Sequence, residues 1–304
     1  MTSIATPPIA RAPVAMRTQG WSDYALVDSG EGRKLERFGA FTVVRPEPQC
    51  LWLPSHPEAW ATADAVFEGV EDEDVAGRWR QADTLPQAWP MRWRGVTFET
   101  RLTSFRHLGV FPEHAANWRW LSDQLDGASA PLRVLNLFGY TGVASLAAAA
   151  AGASVTHVDA SKRAVQWAKE NAALSGLADR PIRWICEDAR AWVRRELKRG
   201  AQYDAIILDP PKFGRGPGGE VWRLYEHLPE LVTGCANLLS SGARFLLLNA
   251  YAERISGLAL AGLVASALPG RPGRVEFGEL DLVEAAGERG VGLSFFARWT
   301  SLAA

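Results

Sequence analysis

The stretch "RVLNLFGYTG" (Arg133–Gly142) decides the fold. Arg133–Phe138 is a short apolar run that stops at glycine, which reads as a buried strand. Gly139 and Gly142 then let the backbone turn tightly, and an alanine-rich helix follows through Ala151. A strand, a glycine turn and a helix in succession open a parallel α/β unit. The same grammar continues downstream. "SVTHVD" (Ser154–Asp159) is a second strand. "SKRAVQWAKENAALSGL" is a helix with Ser161 as N-cap, Gly176 closing it, and Val165, Ala168 and Ala172 on one face. "IRWICE" is a third strand, "ARAWVRRELKR" a helix and "YDAIILD" a fourth strand. A helix lies within Glu220–Leu239, "ARFLLLNA" is a fifth strand, and "SGLALAGLVASAL" is a further helix. "RVEFGELDL" and "VGLSFFARW" close the series as strands, joined so briefly that one must run antiparallel to a neighbour. The fold class is α/β: a seven-stranded, mostly parallel sheet with helices on both faces.

Upstream the composition changes. Trp21 to Arg106 is rich in Trp, Pro and charge, with "AFTVVRP" and "MRWRGVTFETRL" reading as strands and "AWATADAVF" as a short helix. The expected organisation is a disordered tail over 1–20, a small strand-rich domain over 21–106 and the α/β domain over 107–304. With 47% hydrophobic residues in 304, a sizeable core is available. A formal net charge of -1 excludes a global basic field that would coat nucleic acid. Cys50, Cys186 and Cys235 are scattered without a CxxC pair, which argues against a disulfide framework and a metal site and for the cytoplasm. The proline-interrupted N-terminus is no signal peptide, and Val143–Val155 is too short to span a membrane.

In an open α/β sheet, ligands bind beyond the carboxyl ends of the strands. The first strand end is the turn Asn136–Gly142. The second is Asp159, an acid able to accept from two ribose hydroxyls. The third is Asp188-Ala189, where a carboxylate and a backbone N–H suit an adenine edge. The fourth is "DPPKF" (Asp209–Phe213), an apolar strand stopped by two prolines. Each acid alone is equally explained as a favourable charge at a helix N-terminus; their convergence on one crevice is the specific signal. A dinucleotide and S-adenosylmethionine both fit. The run "FGYTGVA" breaks the G-x-G-x-x-G spacing that a diphosphate needs, which disfavours a nicotinamide oxidoreductase.

"VLNLFGYTG", "HVDAS", "CEDA" and "ILDPPKF" together resemble the class I S-adenosylmethionine-dependent methyltransferases, over about Gly109–Trp299. Within that class they resemble the branch of bacterial large-subunit ribosomal RNA methyltransferases. "GVFPEHAANW" resembles that branch's G-x-F-x-D-x-R segment, with Glu113 at the acid and Ala115 in place of the arginine. The resemblance implies a Rossmann-like methyltransferase fold with S-adenosyl-L-methionine as cofactor and RNA, ribosomal in that branch, as partner. It implies cofactor contacts from Phe111, Glu113, Asn136, Phe138, Gly139, Tyr140, Gly142, Asp159, Ala160, Ser161, Asp188, Ala189 and Asp209. Asp209, Pro210, Pro211 and Lys212 would face the transferred methyl, and Phe213 and Asn249 the acceptor.

The acceptor atom is narrowed by chemistry. Methylating cytosine carbon requires a cysteine nucleophile, because the ring must first be attacked covalently. The branch that does so carries it after the fifth strand, where this chain reads "LLLNAYAE". A nitrogen of an RNA base is therefore expected, with a protein or small-molecule acceptor as the nearest rival and a non-catalytic cofactor-binding adaptor as another. Arg190, Arg194 and Lys198 share a helix face, read either as a phosphate-binding stripe or as a solvated face. The Trp/Arg clusters "GRWRQ" and "MRWRG" read either as base-stacking groups or as alternating strand positions.

Overall fold

The computed structural model describes residues 5–69, 76–251 and 254–301. The chain divides into two units, Arg17–Ala116 with Asp281–Gly292, and Met1–Met16 with Asn117–Leu280 and Leu293–Ala304. In chain order the first elements are β1 (Val14–Thr18), β2 (Tyr24–Gly30), β3 (Arg33–Phe38), β4 (Phe41–Pro46), α1 (Pro57–Trp60), β5 (Ala65–Glu68), β6 (Arg78–Gln81), β7 (Trp89–Trp93) and β8 (Val96–Thr100). They are followed by α2 (Ala115–Leu125), β9 (Arg133–Leu137), α3 (Val143–Ala150), β10 (Ser154–Asp159), α4 (Lys162–Leu174), β11 (Ile182–Cys186), α5 (Ala189–Lys198) and β12 (Ala205–Leu208). The remainder are β13 (Phe213–Arg215), β14 (Val221–Arg223), α6 (Leu224–Leu238), β15 (Phe245–Tyr251), α7 (Gly257–Ser266), β16 (Arg274–Val283) and β17 (Gly290–Thr300).

The unit containing Arg17–Ala116 is strand-rich, as its sequence implies. Its sheet has the order β2-β3-β4-β5-β6, and β7 and β8 form a separate hairpin. Met91–Leu102, read as one strand, is folded back because Arg94 adopts a left-handed conformation (φ +49°) beside Gly95. Ala59–Phe67, read as a helix, is split: α1 ends at Trp60 and Ala65 already pairs with β4. The cluster Met91–Gly95 begins with alternating strand positions, Met91 and Trp93 buried and Arg92 exposed, while in the other cluster Trp79 is half-buried between exposed Arg78 and Arg80. An ionic centre is buried here. Arg45 donates through Nε and Nη2 to the two Glu36 oxygens at 2.7 and 2.8 Å, Tyr24 also donates to Glu36, and Lys34 lies 3.4 Å from Glu47.

The other unit carries the α/β core. Its eight-stranded sheet has the order β1-β16-β17-β15-β12-β9-β10-β11. The run β15-β12-β9-β10-β11 is parallel throughout, and β17 pairs antiparallel with β15. The eighth strand comes from the segment expected to be a disordered tail: β1 joins the edge beside β16, and Ala10 N–H donates to the Val275 carbonyl. That edge offers unpaired backbone groups, which the proline-rich segment satisfies. The boundary between the units falls at Asn117 instead of 107.

Side-chain alternation assigns the sheet faces. Leu135, Leu137, Val158, Ile206, Leu208, Leu246 and Leu248 enter one core with α5, α6 and α7. The alternate positions face the other way, where Phe245 packs edge-on with Trp120 of α2 and His157 meets Ser145 of α3. Each fully buried leucine contributes roughly 1.5–3 kcal/mol, so this alternation fixes the register. Among the described residues no helix is long and apolar enough to cross a membrane.

Candidate active site

Four adjacent parallel strands, β12, β9, β10 and β11, end together. Leu208 and Val158 flank Leu137, and Asp159 pairs with Cys186. The segments that follow them carry Asp209, the glycine turn, Asp159 itself and Asp188. At about 4.8 Å per strand the row spans roughly 14 Å, enough for an elongated ligand. Convergence, the specific part of the sequence reading, is thus a consequence of strand order.

The glycine turn is built from below. Gly139 N–H donates to the Val158 carbonyl and Gly142 N–H to the Gly139 carbonyl. A Cβ at Gly139 would overlap the His157 ring, and one at Gly142 would stand 2.8 Å from Ala168 Cβ. Asn136 Nδ2 donates to Ser145 Oγ at 2.9 Å, and Ser145 Oγ lies 3.0 Å from His157 Nδ1, all buried. Burial pushes His157 down to about 3, so the ring is neutral. Asn136, expected at the cofactor, is buried with its Nδ2 engaged in this network. Phe138 and Tyr140 both adopt left-handed backbone (φ +58° and +48°), costly conformations for residues other than glycine. His157 and Ser145 escaped sequence reading because neither lies at a strand end.

Asp159 is held in place by the backbone. Its Oδ2 accepts from Tyr140 N–H and its Oδ1 from Ser161 N–H, each at 2.8 Å. Burial raises its pKa above the ordinary value of 3.8, while these two donors pull against the rise. Each oxygen retains acceptor capacity, so the carboxylate suits a pair of ligand hydroxyls. Ser161 caps α4 by accepting from Ala164 N–H at 3.2 Å, as its sequence implies. Asp188 is 4% exposed and caps α5, its Oδ1 accepting from Ala191 N–H at 2.9 Å. The Ala160 carbonyl accepts from Cys186 Sγ, and Ala189 opens α5.

Asp209 is half-buried, Pro210 buried, and Lys212 and Phe213 exposed. The glycine-rich run after them is a hairpin of β13 and β14, with Phe213 opposite Arg223 and Gly214 opposite Trp222. Trp222 Nε1 donates to the Pro211 carbonyl at 2.6 Å, and its ring lies 5.0 Å from that of Phe138. Trp222 was not singled out in the sequence, which offers no signal for a residue that far past the motif. Asn249 is 3% exposed and its Oδ1 accepts from Asn117 Nδ2 at 2.8 Å, so its carboxamide faces α2. Phe111 and Glu113 belong to the other unit, where Phe111 packs against His107 and the Glu113 charge adds to that of Glu36 on Arg45. The basic stripe on α5 is partly consumed: Arg190 donates to the Val221 carbonyl and Arg194 lies 3.5 Å from Glu230.

A parallel sheet with a glycine turn at its first strand end and acids at the next three defines an α/β enzyme binding a nucleoside-type ligand. The family model for S-adenosylmethionine-dependent methyltransferases matches residues 53–253, and the chain belongs to that family. The crystal structure of an S-adenosylmethionine-dependent methyltransferase from Agrobacterium tumefaciens is 48% identical, covers 99% of this chain and 98% of its own, and superposes with a TM-score of 0.95. A putative methyltransferase from Streptococcus mutans, 17% identical over 93% of this chain and 76% of its own, shares the fold with a TM-score of 0.72. Ribosomal RNA large subunit methyltransferase K/L of Shewanella sp. (strain MR-4) is 42% identical over 39% of this chain, which spans only 16% of that relative's length.

Proposed function

We propose that the protein transfers the methyl group of S-adenosylmethionine to a nitrogen of an RNA base. The observation that carries the reading is the strand register, which sets Asp209-Pro210-Pro211 beside the glycine turn with no thiol at hand. Cys235 is buried and Cys50 lies in the other unit. Cys186 ends β11, three strands from β12, or roughly 14 Å away. Covalent attack on a cytosine ring thus lacks its nucleophile, whereas an amine nitrogen attacks with its own lone pair.

The cofactor supplies a sulfonium-activated methyl group, so the protein's work is alignment and exclusion of water. The residues present fit it. Asp159, half-buried and with one backbone donor on each oxygen, accepts from the ribose hydroxyls. Asp188 retains an oxygen for the adenine amino group, the Ala189 backbone lies beside it, and Ala160 and Ser161 frame the ribose end. Phe138, Gly139, Tyr140 and Gly142 shape the turn against the amino-acid portion. The Asp209 carboxylate and the Pro210 carbonyl are assigned as acceptors for the attacking amine, and the Pro211 carbonyl accepts from Trp222. Phe213, 41% exposed, offers a ring for stacking an unstacked base, and Lys212 a charge for phosphate. The RNA assignment is supported by the names of the curated relatives and by the aromatic and basic face of the hairpin. A cytoplasmic location fits that substrate and three free thiols.

The test is transfer of tritiated methyl into RNA, protein and metabolite fractions from cells lacking the protein. Label in RNA, recovered on a base nitrogen after digestion, is expected. Label confined to protein or small molecules would overturn the RNA assignment and leave the methyltransferase assignment standing.

A further inference from the structure

We propose that Trp222 is a positioning residue that couples occupancy of the cofactor turn to presentation of the acceptor motif. The inference rests on the assignment of Asn136–Gly142 and Asp209–Pro211 above. Trp222 is 3% exposed and reaches both elements at once. Its indole N–H donates to the Pro211 carbonyl at 2.6 Å, and its ring packs at 5.0 Å, tilted by 57°, on Phe138. Phe138 sits in the turn itself, held at φ +58°, so any settling of the turn around a ligand must move or load that ring.

The hairpin is built to transmit this. Gly214 lies opposite Trp222, so the inward face of the hairpin is indole and glycine, while Phe213, Arg215 and Arg223 share the outward face. Its base is closed by Leu224 N–H donating to the Lys212 carbonyl. Its far strand is tied to α5, where Arg190 Nη2 donates to the Val221 carbonyl at 2.9 Å and Arg190 Nε lies 3.8 Å from Asp188. One short hairpin therefore contacts the segments that follow three of the four strands, the third through Arg190 of α5. Pro210 and Pro211 cannot be stabilised by ladder hydrogen bonds of their own N atoms, so a carbonyl anchor is the available means of fixing them.

Hydrogen exchange with and without S-adenosylmethionine tests the proposal without requiring the acceptor. In the wild type the cofactor should slow exchange in 136–142 and also in 212–224. Trp222→Phe keeps a ring against Phe138 and removes the N–H. It should bind cofactor within about twofold of wild type and melt within a few degrees of it. The cofactor-induced protection of 212–224 should disappear, and turnover on undermethylated RNA should fall about tenfold, the worth of one well-placed hydrogen bond. Phe138→Leu, which cuts the other contact, should abolish the same protection. Protection of 136–142 without 212–224 in the wild type would overturn the coupling alone. Absence of protection at 136–142 would overturn the cofactor assignment and the coupling with it. Retained hairpin protection in Trp222→Phe, or a turnover loss matched by a fall in melting temperature, would reduce Trp222 to a packing residue.

Discussion

Asp159 is the residue whose place at a strand end the sequence conveys best. An acid at the end of β10 invites the ribose reading, and the structure adds that both oxygens are already oriented by backbone donors. Burial lifts its pKa above 3.8. The ionised form offers the most acceptor capacity to two hydroxyls, so cofactor binding favours loss of the proton. Affinity should then rise with pH through a window displaced upward from 3.8 and level off beyond it. Calorimetric titration with S-adenosylmethionine across that window checks this; a flat profile would mean that Asp159 does not hold the hydroxyls. Asn136 and Asn249 show the limit of reading by position. Both lie where a ligand contact is expected, and both turn out buried and bonded to neighbours, because a strand-end position does not reveal which face a side chain takes.

At the scale of elements, the order of strands and helices was legible because the apolar runs are short, glycine-bounded and separated by capped helices. Ser161 and Gly176 mark α4 closely: the serine caps, and the glycine follows the C-cap with φ +65°. The hairpin of β13 and β14 was not legible, since three-residue strands carry no periodicity. The glycine turn was legible as a turn but for an incomplete reason. Gly139 and Gly142 are demanded by His157 and Ala168 as much as by any ligand. Gly139→Ala and Gly142→Ala should each destabilise the fold by about 1–3 kcal/mol in urea unfolding, through overpacking and, at Gly142 (φ +87°), backbone strain. Unchanged midpoints would show that the turn yields easily.

At the scale of the molecule, each unit holds a neutral histidine, His157 buried and His107 half-buried. His157 in one and His107 in the other are both pushed down to about 3, His157 by burial and His107 by burial with Arg45, Arg106 and Lys34 adding to it. The unfolded chain takes up these protons near 6.5, so stability should be complete above that pH and fall as pH drops toward 3. Glu36 adds a second component. Burial would raise it, but Arg45 and Lys34 hold it at about 2, so its contribution is present above 4.5 and lost as pH falls toward about 2. Glu36→Gln leaves Arg45 buried without its counter-charge and should cost about 3–5 kcal/mol at neutral pH, measured by denaturant unfolding. It should also flatten the decline below pH 4.5; a decline as steep as in the wild type would assign that acid sensitivity elsewhere. Nothing in the alternating sequence of β3 and β4 announced this ionic centre. Its residues are ordinary surface types, and only the pairing of Glu36 with Val43 in register brings Arg45 to it.

The most direct measurement compares S-adenosylmethionine binding and methyl transfer in Asp159→Ala and Asp209→Ala. The strand-end assignment predicts that Asp159→Ala loses cofactor affinity at least tenfold, the loss of one or two hydrogen bonds to a charged acceptor. Asp209→Ala should bind cofactor nearly as the wild type does and lose turnover. Equal loss of binding in both, or saturable binding of NADH with none of S-adenosylmethionine, would contradict it.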